Sequence, residues 1–327
     1  MRVRRIGVAL PPKRVGSEEI AEWTGAKLEF LRDKVGVHER RFLGPEETTS
    51  DLAAEACERL FAEAPELDRE RLGLLVLVTQ GPDQRVPHTS AILQDRLGLG
   101  SHCAAFDLAL GCSGYVYGLT VAKSFMEAQG IRDALLVTCD PASKALAKTD
   151  RDTVAILADA ATATWLSADE GARLGTGDFG TDGSGAHHLT VPAGGVARPF
   201  VGLYLDEPAP LEEGYFKMNG RPVFNFAMRT VPGTIARCLE ANGLAFDDVD
   251  FFALHQASRF ILDGLVRELG IPEEKMLWNL ERLGNTVSST IPTLIAEGIN
   301  DGSYAGSRIL VCGFGSGLSW GTNVLFA

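Results

Sequence analysis

Short apolar runs alternate with amphipathic stretches along most of this chain. Uninterrupted apolar runs indicate buried strands, and apolar residues at helical spacing indicate helices. The strand candidates are residues 73–79, 103–109, 134–139, 154–158, 250–254 and 308–312, and the helix candidates are 50–63, 89–97, 113–129, 223–241, 258–269 and 287–299. This alternation predicts an α/β fold with a mainly parallel sheet that is covered by helices on both faces.

The same pattern occurs twice. Residues 71–80 (RLGLLVLVTQ) and 247–256 (DDVDFFALHQ) each combine a charged lead-in, a strand-like run and a final glutamine. The matched positions have nearly one offset: 176 residues for Gln80 and Gln256, 172 for Gly98 and Gly270, and 173 for Cys139 and Cys312. Three matches in the same order favour an internal duplication over the shared rhythm of unrelated βαβ units. We therefore predict two halves, residues 1–170 and 171–327, that pack as one body.

Composition and charge argue against several classes of function. The 327 residues carry a formal net charge of −12, which is unfavourable for an extended nucleic-acid interface. No apolar stretch approaches the length of a membrane span, and the run at residues 6–10 is too short for a signal peptide. The six cysteines show no CxxC pair and no metal-ligand spacing with histidine. We expect a cytoplasmic protein with reduced thiols that binds no nucleic acid, membrane or metal.

Cys112 lies where a strand-like run meets a helix-like run. The run CAAFDLAL at 103–110 is followed by Gly111, and small residues at 113, 114 and 118 follow the cysteine. This predicts a sharp strand-to-helix turn with the sulfur near the first helical N–H groups. Those groups and the helix dipole are expected to lower the pKa of the thiol. Because free cysteines are more often small buried hydrophobes, a nucleophilic role depends on the partners of Cys112.

The second half of the chain supplies such partners. His255 directly follows the run FFAL, so its ring is expected at the carboxyl edge of the sheet, where α/β folds bind ligands. Asn285 lies in another turn into a small-residue helix, 173 residues after Cys112, which is the offset of the repeat. We therefore expect Asn285 to face Cys112 across the junction of the halves. The glycine-rich stretch 312–321 offers backbone N–H groups for an oxyanion.

These motifs together resemble the β-ketoacyl-acyl-carrier-protein synthase III family of the thiolase superfamily, over nearly the whole chain. The resemblance rests on GCSGYVYGL around Cys112, TDRDT at 149–153, FKMNGRPVFNFAMR at 216–229, HQAS at 255–258, GNTVSSTIP at 284–292 and GFGSGLSWG at 313–321. It implies the thiolase fold, an internally duplicated α/β/α/β/α five-layer sandwich. It also implies a homodimer.

The resemblance implies a condensation with decarboxylation, which is acyltransferase chemistry without a bound cofactor. Cys112 takes an acyl group from acyl-coenzyme A. A malonyl or β-ketoacyl thioester, on coenzyme A or acyl carrier protein, then attacks it, giving a β-ketoacyl product for fatty-acid or polyketide-type biosynthesis. Backbone N–H groups of Cys112 and Ser316 form the oxyanion hole, and His255 and Asn285 are neutral donors to the extender thioester. An asparagine cannot act as a base, which suits a decarboxylation.

Several family positions are changed in this chain. Phe30 and Lys34 stand where many members have the tryptophan and arginine that hold the adenine of coenzyme A, while Arg151 is retained. Ser258 replaces an asparagine that contacts the pantetheine arm. Together with Asn219 of the 216–229 motif, these residues are expected to bind the substrate.

Val86 is expected to border the acyl pocket. It stands where acetyl-specific members of the family have a bulky aromatic residue. The smaller side chain leaves room for a medium or long acyl chain, unless repacking fills the space.

The basic patch that docks acyl carrier protein in the family is reduced here. By the resemblance, Asn225, Phe260 and Glu268 replace basic residues, which leaves Arg267 and Arg259. Carrier proteins are acidic, so weak attraction is expected from a chain of net charge −12. The extender is then a coenzyme A thioester, or a carrier protein that docks differently.

Two other functions remain open on the sequence alone. One is an acyltransferase of specialised metabolism, or a head-to-head condensing enzyme that joins two acyl chains. The other is a non-catalytic partner subunit of a condensing heterodimer. The retention of Cys112, His255 and Asn285 argues against the second, because such subunits generally lose the cysteine.

Overall fold

Ten strands form one mixed sheet in the computed structural model, which describes residues 1–169, 171–202 and 207–327. The strands are β1 (Arg2–Ala9), β2 (Leu72–Val78), β3 (Ala104–Leu108), β4 (Asp133–Cys139), β5 (Ala161–Ser167), β6 (Ala172–Leu174), β7 (Asp178–Thr181), β8 (Phe251–Leu254), β9 (Arg308–Gly315) and β10 (Ser319–Phe326). Their order across the sheet is β8-β9-β10-β6-β1-β5-β4-β2-β3, and β7 also pairs with β10.

Helices cover this sheet. The longer ones are α1 (Ser17–Thr24), α2 (Thr49–Glu63), α3 (Thr89–Arg96), α4 (Gly114–Gln129), α5 (Gly220–Ala241), α6 (Arg259–Leu269) and α7 (Thr290–Asn300). Shorter elements are helices at Arg151–Val154 and Leu280–Leu283, a helical turn at Phe30–Val35, and two small hairpins, Arg14–Gly16 with Glu39–Arg41 and Leu189–Thr190 with Lys217–Met218. No helix within the described ranges is long and apolar enough to cross a membrane.

The strand order repeats between the two halves of the chain. In the first half, β1 is followed across the sheet by β5, β4, β2 and β3. In the second half, β6 and β7 pair with different parts of one edge of β10, and β9 pairs with its other edge, followed by β8. Met276 then pairs in parallel with Phe252 of β8. Met276 therefore takes the place that β3 has in the first half. The duplicated fold expected from the sequence repeat is confirmed; the predicted boundary at residue 170 falls on a residue outside the described ranges.

The sheet is mixed, so the expectation of a mainly parallel sheet is wrong. Only β2 with β3, β2 with β4, and β8 with β9 pair in parallel among the strands described. The last strand of each half runs antiparallel to its neighbour: β5 to β4 and β10 to β9. A turn as short as residues 316–318 can join only antiparallel strands.

The predicted strand at 154–158 is also wrong. The Asp150 side chain accepts a hydrogen bond from the Asp152 N–H and so caps the short helix Arg151–Val154. The chain then turns, and the true strand, β5, begins at Ala161. Val154 ends that helix, and residues 155–158 lie in a turn and loop where all but Ile156 are buried. Burial without periodicity does not distinguish a strand from such a segment.

Three apolar cores separate the five layers. Alternate residues of β2 face opposite sides: Leu74, Val76 and Val78 belong to the central core, whereas Leu75 and Leu77 belong to an outer core. Helices α4 and α7 fill the central layer and contact strands of both halves. Helices α2 and α3 cover the outer face of the first half, and α5, with α6 packed on it, covers the second. The chain is therefore an α/β/α/β/α sandwich whose two central helices are shared by both halves.

Helix α2 packs closely on β1 at Gly7. A Cβ atom at Gly7 would lie 2.4 Å from the Ala56 carbonyl oxygen and 2.8 Å from the Leu60 amide nitrogen, both backbone atoms of α2. Gly7→Ala is therefore expected to lower the free energy of unfolding by about 1–3 kcal/mol. Gly183→Ala, where no atom lies within 4 Å of the added Cβ, is the control. Equal thermal unfolding midpoints for the two variants would show that α2 moves to accommodate the added Cβ atom without loss of stability.

Candidate active site

Cys112 lies at the turn between β3 and α4, close to the backbone of β9. Ser113 is the residue that precedes α4, and the Cys112 side chain is half-buried. A Cβ atom at Gly313 would lie 2.5 Å from the Cys112 carbonyl oxygen, and one at Gly315 would lie 2.8 Å from Sγ. Glycines at these positions of β9 let the second half of the chain touch the nucleophile candidate of the first half directly.

His255 directly follows β8, where its ring is buried at the carboxyl end of the strand. The backbone N–H of His255 donates a hydrogen bond to the Cys312 carbonyl oxygen at 2.8 Å, which extends the pairing of β8 with β9. The ring is 1% exposed and lies edge-on to Phe314, with ring centroids 5.5 Å apart. Its Nδ1 is 2.7 Å from Thr290 Oγ1. Strand pairing and these contacts fix the ring in one orientation.

Asn285 precedes α7 as Cys112 precedes α4, and its backbone is tied to the first half of the chain. Its N–H donates to the Ile156 carbonyl oxygen, and its own carbonyl oxygen accepts from the Ala158 N–H, both at 2.9 Å. Its Oδ1 accepts from the Val287 N–H at 2.9 Å, so Nδ2 is the free end of the amide. Nδ2 donates to the Ala257 carbonyl oxygen at 3.3 Å and keeps a second hydrogen.

The electrostatics around Cys112 contradict the expected low thiol pKa. Burial, with a smaller contribution from the Asp140 carboxylate, raises the pKa of the Cys112 thiol to about 12. Hydrogen bonds from the backbone N–H groups of Cys112 and Ser316 lower this pKa only in part. The rise in pKa caused by desolvation of the thiolate is larger than the fall caused by the N–H groups at the helix N-terminus. The thiol is therefore protonated at neutral pH, and two N–H groups converge on its sulfur.

His255 and Asp140 are the other titratable groups shifted at this site. Burial lowers the pKa of His255 to about 3, so the imidazole is neutral at neutral pH. Burial also raises the pKa of Asp140 to about 6, against the hydrogen bonds that its carboxylate accepts. The donors are the Gln80 N–H at 2.7 Å and the N–H and hydroxyl of Ser288. Asp140 thus links the first half of the chain to the loop that follows Asn285.

One cavity of about 910 Å³ joins these groups. Of the predicted site residues, Cys112, His255, Asn285, Ser316 and Ser258 line it. Most of the remaining lining is apolar and includes Ile156, Leu157, Leu189, Val191, Phe216, Met218, Val223, Phe224, Phe260, Ile261 and Phe314. Such a largely apolar cleft with a few polar groups at one end is typical of a small-molecule site.

Ser258 also has a structural role. Its hydroxyl oxygen accepts a hydrogen bond from the Ile261 N–H at 3.4 Å and caps the N-terminus of α6. One hydroxyl hydrogen remains available toward the cavity.

Five predicted substrate residues lie outside the cavity lining. Phe30 and Arg151 come together, with the guanidinium 5.4 Å above the ring. Lys34 and Asn219 are exposed, and Asn219 directly precedes the lining residue Gly220. Val86 is 83% exposed. Their assignment to substrate binding stays a prediction.

The sequence reasoning missed Gln80 and Asp140 as members of the site. Gln80 lies two residues after Val78, where β2 ends, and it lines the cavity. Its side-chain oxygen accepts a hydrogen bond from the Ser316 hydroxyl at 3.0 Å. Asp140 follows β4 as His255 follows β8. A polar residue just after a buried strand pointed to His255 in the second half, and the same pattern in the first half would have pointed to Asp140 and Gln80. Within the described ranges, no three His, Cys, Asp or Glu side chains are grouped as metal ligands.

Family models match both halves of the site. Residues 106–183, which include Cys112, match the model described as 3-oxoacyl-[acyl-carrier-protein] synthase III. Residues 239–326, which include His255 and Asn285, match the model of the C-terminal part of the same family.

Similar proteins and structures cover the whole chain. A β-ketoacyl-[acyl-carrier-protein] synthase III of Clostridium perfringens is 34% identical over 98% of this chain and 97% of its own length. A crystal structure of a 3-oxoacyl-(acyl-carrier-protein) synthase III has a TM-score of 0.92 at 36% identity, covering 100% of this chain and 99% of that one. The priming β-ketosynthase of the R1128 polyketide pathway has a TM-score of 0.87 at 27% identity, covering 99% and 96%. The chain therefore has the thiolase fold and belongs to the 3-oxoacyl-[acyl-carrier-protein] synthase III family of condensing enzymes.

Proposed function

We propose that this chain loads an acyl group from acyl-coenzyme A onto Cys112 and condenses it with a malonyl thioester, with loss of carbon dioxide. The observation that carries the proposal is the meeting of Cys112, His255 and Asn285 in one apolar cavity. The product is a β-ketoacyl thioester for fatty-acid or polyketide-type biosynthesis. Coenzyme A thioesters serve as substrates, and the reaction needs no resident cofactor.

In the loading step, the Cys112 sulfur attacks the carbonyl carbon of the acyl thioester, and the bond from that carbon to the coenzyme A sulfur breaks. The proton of the Cys112 thiol ends on the released coenzyme A thiol. The developing oxyanion needs donors close to the sulfur. The two N–H groups that already reach Sγ, those of Cys112 and Ser316, support this role. Because Gly315 leaves no side chain beside the sulfur, the thioester can approach from that direction.

In the condensation step, His255 and Asn285 hold the carbonyl oxygen of the extender thioester. Loss of carbon dioxide leaves an enolate, whose oxygen needs hydrogen-bond donors rather than a base. The amide orientation of Asn285 supports this role, because Val287 occupies Oδ1 and leaves Nδ2 to donate. The enolate carbon then attacks the acyl group on Cys112, and the Cys112 sulfur leaves.

The same cavity supports a primer longer than acetyl. Its volume of about 910 Å³ lies at the upper end for small-molecule sites. The proposal includes Val86 as the residue that leaves space at the acyl end. The proposal also includes a homodimer, because within the described residues β3 is an edge strand with one side open to pair with a second copy. His88, near Val86, contacts the Ala105 carbonyl oxygen of β3, so Val86 would lie close to that interface.

The cavity lining combines the exposed Phe260 with the exposed Arg221, so positive charge at this opening is present but sparse for docking an acidic carrier protein. Phe260 is 61% exposed and stacks on Phe224 with ring centroids 4.8 Å apart. The neighbouring Arg259 is paired with Asp263 at 2.8 Å and lies over the Trp278 ring. These contacts support malonyl-coenzyme A as an extender that is used at least as well as the carrier-protein thioester.

The reaction itself is tested by separating its two steps. Cys112→Ala is expected to abolish the acyl adduct seen by intact-protein mass spectrometry with acetyl-, octanoyl- and lauroyl-coenzyme A, whereas Cys103→Ala keeps it. Asn285→Asp is expected to acylate normally but to condense at least about 100-fold more slowly, because an aspartate repels the enolate. Products and released carbon dioxide are measured with malonyl-coenzyme A. Acyl transfer to a hydroxyl or amine without carbon dioxide release would contradict the proposal.

Asp140 is expected to control the reactivity of the free thiol. Since the Cys112 pKa is about 12, its alkylation by iodoacetamide should rise about tenfold per pH unit from pH 7 to 9, without a plateau. Asp140 is ionised over this range, because its pKa is about 6. Asp140→Asn removes that charge, lowers the Cys112 pKa and should speed alkylation at least about threefold at pH 8.

Asp159→Asn is the control for this measurement. Asp159 is also buried, also has a pKa raised by burial to about 6, and also accepts bonds from a serine N–H and hydroxyl. It is not among the groups that shift the pKa of Cys112. Equal alkylation profiles for the two variants would disprove the influence of Asp140 on the thiol.

The exposed ring of Phe260 predicts how carrier-protein use can be raised. Phe260→Arg is expected to lower the KM for malonyl carrier protein about fivefold at low salt and to leave the KM for malonyl-coenzyme A within about twofold. Phe260→Gln, which removes the ring without adding charge, is the control. A tight KM for the carrier protein in the unchanged chain, unaffected by either variant, would show that the carrier docks elsewhere.

A further inference from the structure

The side-chain amide of Gln80 is a polar group in a mostly apolar wall of the cavity. Among the described residues that line the cavity from the first half of the chain, only Gln80, Cys112 and Asp140 have polar side chains. The Asp140 carboxylate is buried and accepts hydrogen bonds from Gln80 and Ser288. The rest of this wall is apolar and consists of Gly81, Pro141, Ala142, Ala145, Ile156 and Leu157. The Gln80 amide is therefore the group of this wall that still has hydrogen bonds to offer.

Three contacts hold this side chain beside the thiol. The backbone N–H of Gln80 donates to Asp140 Oδ1 at 2.7 Å. The Gln80 side-chain oxygen, Oε1, accepts from the Ser316 hydroxyl at 3.0 Å. Gly111, which precedes Cys112, has no side chain, and a Cβ atom there would overlap Oε1 and lie 3.1 Å from Ser316 Oγ. The amide therefore packs against the backbone that carries Cys112.

This packing leaves the amide nitrogen of Gln80 free to donate. An oxygen fits against Gly111, because a Cα hydrogen makes a weak attractive contact with an oxygen, whereas an NH₂ group would press hydrogen against hydrogen. The nitrogen, Nε2, is then the end that does not bond to Ser316, and it carries two hydrogens. It forms no hydrogen bond with any residue in the described ranges. A purely apolar acyl chain packed on Nε2 would displace water and leave those hydrogens unpaired, which costs free energy.

Ser316 determines which part of an acyl chain would meet this nitrogen. In the proposed loading step, the Ser316 N–H holds the oxygen of the thioester carbonyl, which is the first carbon of the acyl chain. The Gln80 amide is bonded to the hydroxyl of the same residue, so it lies beside the first carbons of the chain and not at its tail. A substituent on the second carbon would crowd the Cys112 sulfur. The third carbon is the first whose substituent can pass the sulfur and reach the amide.

We propose that Gln80 is a specificity-determining residue that selects a primer with an oxygen on its third carbon, a 3-hydroxyacyl- or 3-oxoacyl-coenzyme A. This inference rests on the proposed function and narrows its primer. The substituent oxygen accepts a hydrogen bond from Nε2, while the Ser316 hydroxyl holds Oε1. No bond changes at Gln80: loading forms the thioester on Cys112 and releases the coenzyme A thiol, as with an unsubstituted chain. Condensation of a 3-hydroxyacyl primer then gives a 5-hydroxy-3-oxoacyl thioester.

Competition between primers tests this selection. The protein receives octanoyl-coenzyme A mixed with an equal concentration of (3R)-3-hydroxyoctanoyl-, (3S)-3-hydroxyoctanoyl- or 3-oxooctanoyl-coenzyme A, and intact-protein mass spectrometry counts the two adducts on Cys112. We expect at least one oxygen-bearing chain to be preferred at least about tenfold. Gln80→Met keeps the length of the side chain without its donors, and its ratio is expected within about twofold of unity. Gln84→Met, at an exposed position of the same loop outside the cavity lining, keeps the wild-type ratio.

The adduct ratio is measured within one protein, so a change in stability or in overall rate does not move it. The wild-type ratio also needs no variant, which keeps the test valid if Gln80→Met fails to fold. Wild-type protein that prefers octanoyl or takes all chains equally would overturn the inference and leave the proposed function standing. A preference that Gln80→Met retains would overturn it too. Failure of every primer to acylate Cys112 would instead contradict the proposed function, on which the inference depends.

Discussion

The site depends on one close contact, between the backbone of β9 and the backbone of Cys112. Gly313 and Gly315 allow this approach, since a Cβ atom at either position would lie within 3 Å of Cys112. The contact brings the second half of the chain against the turn that carries the thiol. It also delivers the Ser316 N–H to the sulfur. Every other feature of the site, from His255 at the end of β8 to Asn285 before α7, is positioned relative to this contact.

The duplication explains why two different functional groups, a thiol and an amide, enter the cavity from equivalent positions of the two halves. Cys112 and Asn285 both precede a central helix, and those two helices pack between the half-sheets. In the proposed reaction, the first position supplies the nucleophile, and the second supplies an amide donor. Asn285 is further tied to Ile156 and Ala158 by backbone hydrogen bonds, so the loop of one half is held by the other. The halves therefore share one site, which neither half contains alone.

Much of this arrangement follows from the sequence, because it depends on local patterns that repeat. The apolar runs located β2, β4, β8 and β9, and the common offset paired Cys112 with Asn285. Strand β1 escaped prediction because Arg2, Arg4 and Arg5 interrupt its apolar pattern. The thiol pKa was predicted in the wrong direction, because a helix N-terminus is visible in a sequence and the depth of burial is not. Long-range polar contacts such as Thr290 with His255 are equally invisible, since they join residues 35 positions apart.

The protonated state of Cys112 has a consequence for an enzyme that waits between substrates. Oxidants attack thiolates rather than thiols, so a cysteine with a pKa of about 12 is a poor target while the cavity is empty. In the proposed reaction, the sulfur becomes reactive when a bound thioester supplies an electrophile and the thioester oxygen occupies the two N–H groups. Reactivity is then coupled to occupancy. If Cys112 is the nucleophile as proposed, its protonated resting state protects the sulfur from oxidation between turnovers.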